Sequence, residues 1–466
     1  MENRTKRLTN NTAILGVGTT LSKAIMFLLA PLLTRWVSQD SFGNYDLIIT
    51  YISLLVPLLT LSIGEGVFRF VLEKKNDVSR REIVSTAIMI DVASFLVGAL
   101  ILILISLFVP VLHETIFVFI PLLVVQAFYE FNLMLARGLG RIKDYTISNI
   151  IFAFALMVSC FAIVNLLHGE LTGILLSYLI GYFIASSYLV AKLKTFKFIS
   201  RKNINMRVGK QLIKYSAPLI PNSIAWWIVN VSDRTIVSIV LGASSNAILA
   251  VANKIPNICQ TIFGVFHISW QESASESLND KDRDAFYSNI MNNIFQIMSS
   301  ICIVVVGFNF LIFKALFPDN YVEASFISPI LIVAIIFSIM SQFYGGIYIA
   351  QKKSIANGLT TTIAAVINVI VHISLIRSIG IYAAPISTIS SYVALFLIRH
   401  FDVTKRRKMH LKYNKISGVM FILVIYFVTT AYVSNVVFNY VNVALALVCF
   451  SIVNKNRIKK IIRRNK

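Results

Sequence analysis

Charge is scarce in this chain. Asp, Glu, Lys and Arg make up 14% of the 466 residues, against about 25% in an ordinary soluble domain, and a soluble globular protein is thereby excluded. Acidic residues are scarcer still, 21 against 43 basic ones. Cysteine is also rare. Cys160, Cys259, Cys302 and Cys449 stand singly in apolar runs, without the spacing of a metal or redox motif, so they read as small core residues. No Ser-His-Asp set, paired carboxylates or metal-spaced cluster occurs. The glycines of Gly16-Val-Gly18 and Gly345-Gly346 neither follow a strand nor open a helix as a nucleotide loop requires, and they read as close-packing points between helices. Long hydrophilic loops are missing too. The longest are about 191–214, which is basic, and 270–288, which is acidic but short, and neither has the room of an integral-membrane polymerase or glycosyltransferase. The basic, then apolar N-terminus has no small-residue cleavage pattern and reads as an uncleaved first span.

Apolar residues fill the space left. They make up 57% of the chain, mean hydropathy is +0.77, and the expected fold is an all-α, polytopic membrane protein. Windows long enough to cross the hydrocarbon core, about 20 residues each, fall at 12–33, 44–66, 83–109, 115–136, 145–166, 171–191, 214–241, 246–269, 289–313, 324–349, 355–376, 380–399, 415–433 and 436–453, fourteen in all. The net charge of +22 would suggest nucleic acid in a soluble chain, but 36 of the 43 cations lie in alternate segments between these windows or at their edges, as Lys214, Arg399 and Lys415 do. The opposite segments hold only Arg35, Lys314 and Arg377. By the positive-inside rule the basic side, with both termini, is cytoplasmic. The charge is then a topology signal and no nucleic-acid partner is expected.

Four cations remain inside spans: Lys23, Arg69, Arg234 and Lys254. A charge at the centre of a membrane helix costs roughly 2.5–3.5 kcal/mol on insertion scales, so each needs a reason. Arg69 sits close enough to a helix end to snorkel, with a polar cavity role as its other reading. Lys23, Arg234 and Lys254 do not, and are the candidates for binding an anionic group. Asp233 precedes Arg234, and neighbours in a helix sequence do not face each other, so each needs another partner. The competing reading pairs these cations with the acids of the spans to lock helices together. Those acids are Asp46, Glu65, Asp91, Glu130 and Asp233, which are candidates for cavity counter-ions or for coupling to H+ or Na+. Glu65 stands four residues before Arg69, the spacing of a local helix pair.

Weak internal repetition links "RWVSQDSFGNYDLIITYISLL" to "SIVLGASSNAILAVANKIPNI", and "GRIKDYTISNIIFAFALMV" to "QKKSIANGLTTTIAAVINV". The offsets make spans 1–6 and 7–12 two copies of a six-helix unit in parallel repeat. The expected organisation is an N-terminal lobe over 1–191, a basic cytoplasmic linker over 192–213, a C-terminal lobe over 214–400, and two added spans with a basic tail over 401–466.

The stretch "PLIPNSIAWWIVNVSDRTIVSIVLGASSNAILAVANKIPNI" from Pro218, with "FGNYDLIITYISLLVPLLTLSIGEGVFRFVLE" from Phe42, resembles the bacterial polysaccharide (O-antigen, capsule, exopolysaccharide) flippases of the multidrug/oligosaccharidyl-lipid/polysaccharide exporter superfamily. The resemblance implies two helical lobes around a central cavity. It also implies transfer of an undecaprenyl-diphosphate-linked oligosaccharide from the cytoplasmic to the outer leaflet of the bacterial inner membrane. A diphosphate head calls for forked arginine donors and lysine point charges, which gives Lys23, Arg234 and Lys254 a role, and an oligosaccharide makes Trp226, Trp227, Tyr344 and Tyr348 candidates for stacking on sugar faces, against packing or interface anchoring. No cofactor is implied. The lipid-linked oligosaccharide and membrane lipids are the expected partners, with a polysaccharide polymerase and co-polymerase beside them. A lipid II flippase is the weaker choice, because the Arg-Asp pair of its first helix is replaced here by "MFLLAPLLTR". A drug or metabolite antiporter is weaker because its cationic substrates favour acids over cations in the cavity.

Overall fold

In the computed structural model, residues 2–73, 77–107, 110–351, 353–406, 409, 441–451 and 454 are described. Among them no strand occurs. The helices are α1 (Glu2–Trp36), α2 (Gln39–Leu59), α3 (Ile63–Glu73), α4 (Asp77–Ser106), α5 (Pro110–Gly138), α6 (Ile142–Cys160), α7 (Glu170–Leu193), α8 (Met206–Ser216), α9 (Ile220–Leu241), α10 (Ala243–Ala252), α11 (Lys254–Glu276), α12 (Arg283–Leu316), α13 (Val322–Ala350), α14 (Ser354–Ile379) and α15 (Ala383–Arg406). Among the described residues, eight stretches are long and apolar enough to cross a membrane, nine if the bent pair α10–α11 is one span. The expected thirteenth span lies outside the described residues, and of the fourteenth only the short apolar helix Val441–Ser451 is described. The chain divides into two compact units, Met1–Trp227 and Ile228–Lys466, with the boundary inside α9.

In the first unit, α1 packs on α6, α6 on α7 and α7 on α5. On α4, Val92, Leu96, Val97, Leu100, Ile101 and Leu104 stay exposed. A contiguous apolar face of that kind is what a membrane helix turns to lipid, and what a soluble monomer avoids. The window 44–66 is one span in the sequence and two helices in the structure. The Ser62 N–H donates to the Pro57 carbonyl (2.8 Å), and the chain passes through two left-handed residues, Leu61 (φ 50) and Ser62 (φ 51). Neither is glycine, so sequence does not announce the left-handed pair itself.

The basic segment 192–213 is a pinned part of the first unit. Ser85 Oγ donates to the Phe198 carbonyl (2.8 Å) and accepts from the Ser200 N–H (3.0 Å), while Thr86 Oγ1 accepts from the Asn205 N–H (2.9 Å). Thr195 Oγ1 donates to Asn132 Oδ1 (2.7 Å), and Arg141 Nη1 to the Lys192 carbonyl (2.7 Å).

In the second unit, α13 is apolar on every side and is therefore the central element. It packs against α11, α12 and α15. Its Gly345-Gly346 pair is a close-approach point. A Cβ on Gly345 would stand 2.9 Å from Arg399 Nη1, and one on Gly346 would stand 2.6 Å from the Trp270 indole nitrogen. Trp270 stacks on Phe343 (4.0 Å) and donates to its carbonyl (2.9 Å). Gly242 (φ 92) turns the chain from α9 into α10, a conformation open to glycine at little cost.

Gly345→Ala is expected to displace the buried guanidinium and destabilise the protein by about 1–3 kcal/mol. Gly264→Ala, where an added Cβ meets nothing within 4 Å, is expected to be neutral or stabilising by up to about 1 kcal/mol. Thermal unfolding of the two purified variants in detergent checks the contrast; equal losses would contradict the packing described.

Candidate functional site

The site in the second unit grows from the pair that interrupts α9. Asp233 turns to α14 and α15. Its Oδ1 accepts from His372 Nδ1 (2.7 Å) and Ser387 Oγ (3.3 Å), and Thr388 Oγ1 lies 2.7 Å from its Oδ2. Both hydroxyls also lie within reach of the Ala384 carbonyl, at 2.8 and 2.9 Å. Each has one proton to give, and an ionised carboxylate is the stronger acceptor. The network continues as Ser232 Oγ donates to Asn368 Oδ1 (3.1 Å). His372 is fully buried. The partner that Asp233 requires is therefore a histidine and two hydroxyls.

Arg234, one residue on, lines a cavity of about 270 Å³ with Asp233, Asn253, Asn257, Gln260, Thr388 and Tyr392, closed on its apolar side by Val231, Leu249, Pro256, Leu331 and Ile335. The bend of 44° between α10 and α11 puts Asn253, Asn257 and Gln260 on this wall. Gln260 Oε1 is buried without a hydrogen-bond partner among the described residues. An orphaned buried amide costs about 1–3 kcal/mol, and turning it over presents an N–H₂ donor instead. The lining thus holds a guanidinium, three amides, two hydroxyls and the Asp233 carboxylate, with Thr388 committed to that carboxylate (2.7 Å) and Asn253 Nδ2 to the Leu249 carbonyl (2.9 Å). Its volume lies just below the roughly 300–1,000 Å³ of sites for drug-sized ligands, enough for a charged headgroup and too little for a glycan. Lys254 is the first residue of α11, next to Asn253 but outside this lining. Lys23 belongs to the first unit, where its side chain on α1 is exposed.

The acidic candidates of the first unit converge. Glu65 of α3, Asp91 of α4 and Glu130 of α5 line one cavity of about 140 Å³. Gln126 Nε2 donates to Glu130 (3.0 Å), and Asp91 Oδ1 is buried without a hydrogen-bond partner among the described residues. Thr60 and Ser62 of the strained turn between α2 and α3 stand on its rim. Among the described residues no group of three His, Cys, Asp or Glu is placed to hold a metal ion. Asp46 is separate, buried on α2. The Glu65–Arg69 pair suggested by spacing is not formed. Arg69 pairs with Glu73 instead (2.8 Å), both about half exposed, because water at that helix end costs these charges less than the cavity would.

Tyr344 and Tyr348 are corrected from sugar-stacking candidates to core residues. Both are fully buried, hydrogen-bonded to His400 Nδ1 (2.7 Å) and Asp402 Oδ2 (2.9 Å). Trp227 donates its indole N–H to the Thr50 carbonyl (3.0 Å) and lies against Tyr51; the Trp226 side chain lies outside the described residues. Arg399 is a further correction. Counted as the first cation of a cytoplasmic segment, it is buried in α15, donating to Thr360 Oγ1 (3.0 Å), the Ser341 carbonyl (2.9 Å), the Asn357 carbonyl (3.0 Å) and Thr361 Oγ1 (2.9 Å). Its position at the end of an apolar window concealed it. His372 was also missed, although a histidine inside "INVIVHISLI" is itself an intramembrane ionisable group.

Residues 8–270 match the polysaccharide biosynthesis protein family. The chain belongs to that family. No curated protein matches its sequence. In structure, this family member is similar to the lipid II flippase MurJ in its inward closed conformation, at 14% identity and a TM-score of 0.72, covering 97% of this chain and all of the other. It is similar also to MATE in complex with MaL6, at 11% identity and 0.60, covering 85% and 96%. A MOP superfamily transporter from Pyrococcus furiosus matches at 12% and 0.57, covering 84% and 95%. At such identities the likeness establishes a shared fold.

Asp233→Ala is expected to lower stability by about 1–3 kcal/mol, because the donors on His372, Ser387 and Thr388 lose their acceptor. Asp233→Asn, which keeps an acceptor oxygen, is expected to cost less. Melting of the purified variants decides it, and two unchanged melting points would refute the network's structural role.

Proposed function

We propose that this protein is a flippase carrying undecaprenyl-diphosphate-linked oligosaccharide from the cytoplasmic to the outer leaflet of the bacterial inner membrane, by alternating access, in surface polysaccharide biosynthesis. The observation that carries the reading is the donor-rich cavity around Arg234. Donors on α14 and α15 hold the adjacent carboxylate of Asp233, and Arg234 lines the cavity together with the amides of Asn253, Asn257 and Gln260. Such a lining suits an anion with several acceptor oxygens. Its volume suits the diphosphate rather than the sugars. Membership of a polysaccharide biosynthesis family supports the pathway, and the fold shared with a lipid II flippase supports the mode of transport.

On this reading the protein is a transporter and not an enzyme. Lys254 and Lys23 are further cations for the diphosphate along its path, and a polymerase and co-polymerase take the product. The carboxylate cavity of the first unit is the proposed place of coupling to H+ or Na+. An antiporter of organic cations would use that same cavity as its substrate site. At about 140 Å³ it is sized for an ion and a few waters, which favours coupling over drug transport.

Arg234→Ala is expected to abolish surface polysaccharide at normal membrane abundance, and Arg234→Lys to restore part of it, because the point charge survives without the fork. Gln260→Leu is expected to weaken transport while removing the orphaned amide at no cost in stability. The measurement is surface polysaccharide beside an immunoblot of the membranes. Full display by Arg234→Ala would overturn the role given to the guanidinium.

A further inference from the structure

We infer that residues 192–215, the segment between α7 and α9, form a binding surface for the anionic headgroups of the lipid leaflet they face. The inference stands apart from the identity of the transported substrate.

The segment contains eight cations and no acid. All eight, Lys192, Lys194, Lys197, Arg201, Lys202, Arg207, Lys210 and Lys214, are exposed, and no carboxylate among the described residues pairs with them. A basic stretch is often only a topology signal, solvated and mobile. Two observations separate this one from that case. The segment is fixed, with Ser85, Thr86, Asn132 and Arg141 tying four of its backbone groups and the Thr195 hydroxyl to the unit beneath, so the charges are presented by a rigid platform. Large apolar side chains are also exposed among the cations: Phe196 at 68%, Met206 at 66%, Tyr215 at 41% and Ile213 at 39%. A surface meant for water alone has no use for them.

The geometry of α8 orders the two kinds of side chain. Gly209, Leu212 and Ser216 form its buried stripe, seated on α3 and α4, where Gly66 leaves room for Leu212 and Ser216. Arg207, Lys210 and Lys214, at i, i+3 and i+7, project from the opposite side, and Met206 and Ile213 border them along one edge. An apolar edge beside a cationic face is the pattern of a helix lying in the membrane interface, with its hydrocarbon in the acyl boundary and its charge among anionic lipids. An acidic protein partner would match the charge but not the apolar edge. Because α8 leads directly into α9, bound lipid would brace the start of the helix that bears Asp233 and Arg234.

The test compares the full-length protein with an Arg207→Gln, Lys210→Gln, Lys214→Gln variant. Hydrogen exchange is followed over 192–216 in nanodiscs of phosphatidylcholine alone or with phosphatidylglycerol, and phosphatidylglycerol binding is titrated by native mass spectrometry. Phosphatidylglycerol is expected to protect the segment in the parent protein. Each cation contributes roughly a fivefold effect near an anionic surface, so the triple variant is expected to bind about a hundredfold more weakly and lose the protection. Should the triple variant fail to accumulate, Lys210→Gln alone is expected to show the roughly fivefold loss. A Phe196→Ser, Met206→Ser variant, with every charge intact, is expected to lose protection as well. Equal exchange in the two lipids, or unchanged affinity in the charge variants, overturns the inference. So does protection by a soluble polyglutamate peptide, in phosphatidylcholine discs, equal to that given by phosphatidylglycerol, because this would assign the surface to an acidic protein.

Discussion

An ionised side chain at hydrocarbon depth persists only where the protein itself supplies the polar contacts that water would have given. The architecture follows from meeting that condition several times. Asp233 meets it with a histidine and two hydroxyls from α14 and α15. Arg399 meets it with two carbonyls and two threonine hydroxyls, over a glycine that leaves space for the guanidinium. Helices that are otherwise apolar are joined at these points, and lipid offers no hydrophobic gain of its own for helix association. Small residues and shared polar contacts therefore fix how α9, α13, α14 and α15 pack.

The same condition makes the remaining polar surface informative. Asp233 and Arg399 are surrounded by protein groups and serve the fold. The amide of Gln260 and the carboxylate oxygen of Asp91 are buried without such partners among the described residues, and each lines a cavity. One cavity is rich in donors and the other in carboxylates. In the proposed cycle the first meets an anionic head and the second a coupling cation. The strained turn at Leu61 and Ser62, of a kind that costs of order 1–3 kcal/mol per residue, borders the carboxylate cavity, where a change of charge would alter the forces on it.

The helical membrane class was readable from composition, and most spans from unbroken apolar windows, because hydrocarbon imposes one dominant pattern on sequence. Asp233 and Arg234 were readable as functional candidates for the reason that they violate it. What escaped was everything set by tertiary contact. Glu65 has Arg69 four residues on, and Arg69 has Glu73 four residues on; spacing treats the two pairs alike, and only their exposure separates them. Tyr344 and Tyr348 look like any aromatic pair one turn apart, and the partners that bury them lie more than fifty residues away. Arg399 looked like a loop cation because α15 runs on past the apolar window to Arg406. The break after α2 carries no glycine to announce it.

The central claim is that the cavity around Arg234 receives a diphosphate. The most direct measurement is a cryo-electron microscopy structure of the protein in nanodiscs with a short-chain polyprenyl diphosphate. The account predicts phosphate density within hydrogen-bond distance of the Arg234 guanidinium and of at least one of the Asn257 and Gln260 amides. Phosphates bound elsewhere, with the Arg234 cavity occupied only by water, would contradict it.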